Sequence, residues 1–160
     1  MSDQRTHAVT FQPMTTQNAK RLGAALAEID PWAYYGYTPE ALTTYLAADE
    51  QDAPRWQILV DDVVAGAIVI RWNWLRGPYL QFLGILPAFQ NSGVGKATLA
   101  WLEADARSHR VQNIWVVASE FNTTALAFYE RFGFVRIATL DGLVSEGTAE
   151  CLFRKRLTAQ

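Results

Sequence analysis

Apolar residues recur along this chain at two spacings, and the places where one spacing gives way to the other mark out its elements. Ala8 to Gln12 alternates and reads as a short strand. Thr15 or Thr16 then caps a helix whose apolar positions Leu22, Ala25, Leu26 and Ile29 fall three and four apart. Asp30-Pro31 stops that helix, because proline disfavours helical geometry in the residue before it. An aromatic connector, Trp32, Tyr34, Tyr35 and Tyr37, leads to a second helix from Pro39 to about Ala48. Trp56 to Val60 and Val64 to Trp74 are rich in β-branched and aromatic residues and are joined by Asp61-Asp62, which predicts an antiparallel hairpin. Arg76-Gly77-Pro78 predicts a second turn, into a strand from Tyr79 to Leu86 that ends at Pro87.

The second half begins with a helix from Ser92 to about His109, with Leu99, Leu102 and Ala106 on one stripe and cations near its end. Ile114 to Ala118 is a continuous apolar run, which suits a strand covered on both faces. Asn122 to Arg131 is helical, and Gly133 breaks it before a strand from Phe134 to Ile137. A turn-rich, acidic stretch from Asp141 to Gly147 precedes a last strand, Ala149 to Leu157. The predicted order is βααβββαβαββ, a mixed α/β chain without repeats.

Composition narrows what such a chain does. At 160 residues, half of them apolar, it suits one domain spanning 1–160 with a core that needs neither disulfide nor metal. Fourteen Lys and Arg against sixteen Asp and Glu, with no basic block, exclude nucleic acid as the main partner. No apolar run approaches the roughly 20 residues that cross a bilayer, and Met1 to His7 is polar, so no membrane association and a cytoplasmic location are expected. Cys151 is the single cysteine and His7 and His109 are the two histidines, so neither a disulfide nor a zinc site is expected. Cys151 itself reads as a buried structural thiol.

The candidate chemistry starts at Gln90-Asn91-Ser92-Gly93-Val94-Gly95, which lies directly after a strand and at the start of a helix. The first backbone N–H groups of a helix have no carbonyl partner, and glycines remove the side chains that would hold a phosphate away from them. The segment is therefore a candidate anion cradle, with Lys96 adding charge. The same glycines also suit a loop that merely turns into a helix. A nucleotide P-loop is excluded, because it needs a glycine where Gln90 or Asn91 stands and Ser or Thr where Ala97 stands. The three-glycine dinucleotide fingerprint is absent as well.

Downstream, Asn122 and Tyr129 lie seven residues apart, within about 20° of each other around a helix and roughly 10 Å apart along it, so both can face one extended ligand. Tyr129 also suits a core aromatic in Phe128-Tyr129-Glu130-Arg131-Phe132, and Asn122 also suits a plain helix N-cap.

The strand ending Ile85-Leu86-Pro87, then Gln90 to Gly95, Asn122, Tyr129 and Gly133-Phe134, together resemble the GNAT superfamily of acetyltransferases. Its signature is Gln or Arg, two residues, Gly, one residue, Gly or Ala. The resemblance covers Tyr79 to Leu157; the first half matches only in layout. It implies a mostly antiparallel central sheet of about seven strands flanked by four helices. It implies that Leu83, Gly84 and Ile85 splay from the neighbouring strand and pair with the pantetheine arm of acetyl-CoA. Gln90, Asn91, Ser92, Gly93, Val94, Gly95 and Lys96 would hold the pyrophosphate, an amide N–H such as that of Ile85 would stabilise the oxyanion, and Asn122 would position the cofactor. Tyr129 would protonate the departing thiolate, a transfer that a phenol of pKa about 10 can make.

An attacking ammonium must also lose a proton. Many relatives place a Glu where this chain has Val117, so the base expected here is Glu120 or a water chain, with Glu28, Asp30, Glu146 and Glu150 as other carboxylates within reach. For the acceptor, Trp32, Tyr34, Tyr35 and Tyr37 form a possible wall, extended by Trp72 and Trp74, which share a strand face by period-two alternation. Asp141, Glu146 and Glu150 would attract a cation. The plain alternative is that the tryptophans are core and the carboxylates solvated.

The expected function is transfer of an acetyl group from acetyl-CoA to a primary amine of a small molecule by direct attack, without a metal. A protein N-terminal or lysine acetyltransferase and a non-catalytic acyl-CoA-binding module are the alternatives. A homodimer accords with the resemblance.

Overall fold

Pairs of residues in the left-handed region set both hairpins. The computed structural model describes residues 7–158, so the polar N-terminal stretch, apart from His7, lies outside the described residues. Strands β2 (Arg55–Val60) and β3 (Val63–Trp74) are joined by Asp61 and Asp62, whose φ angles are 48° and 66°. Positive φ at both central residues matches the right-handed twist of the flanking strands, and Asp tolerates it. Leu75 and Arg76 do the same, at 45° and 65°, between β3 and β4 (Gly77–Ile85). The second turn thus lies earlier than expected, and Gly77 and Pro78 belong to the strand. Gly77 has no room for a side chain, since a Cβ there would lie 2.0 Å from the Asn113 carbonyl oxygen.

The remaining elements follow the predicted order with one addition. They are β1 (Val9–Pro13), α1 (Thr16–Leu26), α2 (Trp32–Tyr35), α3 (Pro39–Ala47), α4 (Val94–Ser108), β5 (Asn113–Ser119), α5 (Thr123–Arg131), β6 (Val135–Asp141) and β7 (Ala149–Arg156). The addition is α2, which makes five α-helices among the described residues where four were expected. A single turn is too short to show a periodicity. Gly36, at φ 73°, ends it with a left-handed cap. Thr15 and Thr38 cap α1 and α3 through their hydroxyls, which accept from the amides of Asn18 and Ala41 at 3.1 and 3.0 Å.

The seven strands form one sheet in the order β1-β2-β3-β4-β5-β7-β6. Every neighbouring pair is antiparallel except β4 with β5, which run parallel. The apolar run Ala65 to Ile70 in β3 is buried throughout because both faces of the sheet are covered. Ile68 and Ile70 pack with Leu102, Ile114, Val116 and Phe153 beneath α4 and α5. Ala67 and Val69 pack with Leu22, Leu26, Leu42 and Leu46 of α1 and α3 on the opposite face. Cys151 is buried and free, and burial pushes its thiol pKa up. No helix among the described residues is long and apolar enough to cross a membrane.

Candidate active site

The parallel pair of strands is where the sheet opens. β4 and β5 pair only at Tyr79 with Trp115 and Leu80 with Val116. β4 stays paired with β3 as far as Ile85, opposite Gly66, and β5 stays paired with β7 as far as Ser119, opposite Glu150. The β5-facing edge of β4 therefore has no strand partner from Gln81 to Ile85. A strand edge without a partner presents backbone N–H and C=O groups that another extended chain can pair with.

A cavity of about 210 Å³ lies at this opening. Leu83 of β4, Trp32 and Tyr35 of α2, Asn122 and Tyr129 of α5, and Glu150 of β7 all line it. Trp32 is held in place by stacking on Phe82, with ring centroids 4.6 Å apart. Gly84 lets α1 and the α2 turn lie close on the sheet, since a Cβ there would come within 2.9 Å of Leu26 and 3.0 Å of Trp32.

Gln90 to Lys96 begins beyond the end of β4 and runs into α4. Asn91 and Gly93 take positive φ angles, 59° and 86°, so the loop coils tightly before the helix. Gly93 is the N-cap of α4 and has no side chain to cap it, and a Cβ there would meet nothing within 4 Å. The first amides of α4 are thus left to a ligand or water, on an open side. Ser92 Oγ donates to the Phe89 carbonyl at 2.5 Å and Gln90 Nε2 donates to the Ile85 carbonyl at 2.9 Å, which ties the loop to the end of β4. Gly95 has a different constraint: its Cα faces the ring of Phe128, 3.0 Å from where a Cβ would lie. Phe128 in turn meets Tyr129 edge to face at 5.3 Å, so one ring separates the helix start from the phenol.

Tyr129 is buried, packed against Phe134 and Phe153. Its hydroxyl makes no hydrogen bond to a protein group among the described residues. No fully buried side-chain nitrogen or oxygen there lacks a partner, so this hydroxyl opens onto the cavity. Burial raises its pKa, and the neighbouring Tyr79 raises it further, which keeps the phenol protonated. Burial likewise pushes Tyr79 up to about 12. Asn122 performs two tasks at once: Oδ1 accepts from the Ala125 amide at 3.2 Å as the N-cap of α5, and the residue lines the cavity.

Three expectations need correction. Glu120 is exposed and does not line the cavity; its amide donates to the Ala149 carbonyl at 2.9 Å. The carboxylate that lines the cavity is Glu150, 4% exposed, directly opposite Ser119. Trp72 and Trp74 do not share a face. Asn73, at φ 61°, breaks the alternation and the pairing register slips between Arg71 and Trp74. Trp72 packs against His109 at the end of α4, with centroids 4.5 Å apart, whereas Trp74 lies on Tyr79 and Trp115 across the sheet. Neither lines the cavity. Asp141 and Glu146 are exposed and do not line it either.

Sequence reasoning missed Ser119 and ranked Glu150 among many carboxylates. The available signal was a lone acid entering the apolar run Cys151, Leu152 and Phe153.

A sheet that opens at its parallel pair, with a bare helix start beside the opening, is the arrangement that the resemblance to acyltransferases implies, and the family match shows that class. The chain belongs to the acetyltransferase (GNAT) family, whose model matches residues 23–134. It is 32% identical over 98 residues to acetyltransferase Atu2258 of Agrobacterium fabrum, covering 60% of this chain and 67% of that protein. Its fold is similar to that of the ribosomal-protein-S18-alanine N-acetyltransferase from Escherichia coli, with TM-score 0.74 and 14% identity over 96% of each chain. It is similar to nourseothricin acetyltransferase, with TM-score 0.70, 17% identity and coverage of 94% of this chain and 99% of that one. A GNAT acetyltransferase from Elizabethkingia anophelis with acetyl-CoA bound matches with TM-score 0.69 and 16% identity, over 93% of this chain and 98% of that one.

Proposed function

We propose that this enzyme transfers an acetyl group from acetyl-CoA to a primary amine of a small molecule by direct attack. The observation that carries the proposal is the unpartnered edge of β4 between a bare helix start and a buried phenol. The chemistry of acetyl-CoA fits those groups. Backbone amides of Gln90 to Lys96 suit the pyrophosphate, with Lys96 adding charge, and the Leu83 to Ile85 edge suits the amides of the pantetheine arm. The acetyl-CoA bound in the Elizabethkingia anophelis relative supports this choice of co-substrate.

In the reaction the amine nitrogen attacks the thioester carbonyl, and an amide N–H on the β4 edge, that of Ile85, stabilises the oxyanion. The acceptor attacks as the free amine after its ammonium gives one proton to water; the C–S bond breaks, Tyr129 gives its proton to the thiolate, and the proton shed by the acylated nitrogen returns through water to the phenolate. Burial keeps this phenol neutral, so it has a proton to give, and the same desolvation raises the basicity of a thiolate generated beside it. Asn122 presents its amide to the same ligand. No step needs a covalent enzyme intermediate.

A small acceptor is favoured by the modest cavity, about 210 Å³, and by Tyr35, which lines it and donates to Glu150. The fold alone does not choose, since similar structures include an enzyme named for a ribosomal protein and one named for nourseothricin. A CoA-release assay with benzylamine, a lysine-containing peptide and a peptide with a free N-terminus separates the two cases. We expect turnover with the small amine and only background with both peptides; a higher kcat/KM for either peptide would replace this reading with protein acetylation.

A further inference from the structure

Two of this protein's carboxylates have two cationic partners each among the described residues. Glu103 is paired with Arg107 and Lys155 at 3.0 and 2.7 Å, and Glu50 with Arg55 and Arg71 at 2.8 and 3.0 Å. Glu150 is different. Among the described residues it is the most deeply buried acid, and it forms no ion pair there with a lysine, arginine or histidine. Its contacts are two hydroxyls: Ser119 Oγ lies 3.1 and 2.9 Å from Oε1 and Oε2, and the Tyr35 hydroxyl donates to Oε1. An ionised carboxylate offers about four lone-pair sites, and these two hydroxyls bring only two hydrogens. A buried carboxylate that lines a cavity and has no cationic partner is the chemical complement of a cation bound there.

The surroundings of Glu150 describe that cation. Trp32, Tyr37 and Tyr79 line the same cavity and present aromatic rings, which attract an ammonium group held over their faces. Leu143 and Val144, on the loop between β6 and β7, line it too, although they are 55% and 45% exposed. Exposed apolar side chains at the mouth of a cavity suit the apolar body of a bound molecule.

We infer that Glu150 is the acceptor-binding carboxylate, and that it takes a primary ammonium carried on a compact aromatic or apolar body. This inference rests on the acetyltransferase reading above and names the acceptor class for the same site. Ser119 spans both oxygens and holds the carboxylate in place, Tyr35 occupies one lone pair, and the others remain for the ammonium N–H groups. Tyr35 also links α2 to β7, so the aromatic connector and the last strand close on the acceptor together.

The experiment is calorimetric titration of the CoA-saturated protein with benzylammonium and with benzyl alcohol, which match in size and differ in charge. Wild type binds benzylammonium at least about tenfold more tightly, the effect of one charge-assisted contact plus a cation–π contact. Glu150→Gln keeps the shape and removes the charge, and it brings the two affinities together while acetyl-CoA affinity stays unchanged. Tyr35→Phe, which frees a lone pair on Glu150, retains the preference. Equal binding of both probes by wild type overturns the inference, and so does a preference that survives in Glu150→Gln or disappears in Tyr35→Phe. If the glutamine variant does not fold, the wild-type contrast and Tyr35→Phe decide. A wild type that binds acetyl-CoA but shows no cation preference refutes only the role of Glu150, whereas a failure to bind acetyl-CoA refutes the reading beneath it.

Discussion

Replacing Tyr129 with phenylalanine lowers kcat by about a hundredfold or more, the ordinary worth of a positioned general acid, and leaves acetyl-CoA affinity and thermal stability nearly unchanged. The separation is expected because ring and hydroxyl do different things here. The ring fills a space among Phe128, Phe134 and Phe153, and phenylalanine keeps that packing. The hydroxyl bonds to no protein group among the described residues, so its removal orphans no donor or acceptor. If the phenol were only a core aromatic, neither kcat nor stability would change. Steady-state kinetics beside a calorimetric titration distinguishes the two cases, and an unchanged kcat removes Tyr129 from the mechanism.

Substituting Gly93 weakens acetyl-CoA binding, and the cause can be resolved with two variants. Any side chain at Gly93 must adopt φ 86°, which costs about 1–2 kcal/mol in backbone strain. Gly93→Ala measures that strain alone, since its methyl meets nothing within 4 Å. Gly93→Glu adds a negative charge beside the first amides of α4. At roughly 8 Å and an effective dielectric of about 20, each unit charge on the pyrophosphate is repelled by about 2 kcal/mol. The glutamate variant should therefore bind acetyl-CoA about thirtyfold or more weakly than the alanine variant. Equal affinities for the two variants would move the phosphates elsewhere.

How much of this was legible in the sequence depended on the range of the determining interaction. Strands and helices of six residues or more were readable because periodicity and caps are local, as the Thr15 and Thr38 hydroxyls illustrate. The single turn of α2 was not, because four residues carry no period. The bare helix start at Gly93 was readable, since glycines between a strand and a helix are a local pattern. Glu150 stood out less because its meaning depends on register: it becomes a cavity residue by lying opposite Ser119 on β5, across a chain reversal. Glu120, nearer the motif in sequence, is exposed and does not line the cavity. Trp72 and Trp74 misled for a local reason that alternation alone cannot reveal, the left-handed Asn73 between them.

A crystal structure of the CoA complex shows whether acetyl-CoA binds in the opening between β4 and β5 as proposed. Pantetheine amides hydrogen-bonded to the backbone of Leu83 to Ile85 are expected there, with the pyrophosphate on the amides of Gln90 to Lys96. CoA bound elsewhere, or an empty opening at saturating CoA, would contradict the proposal.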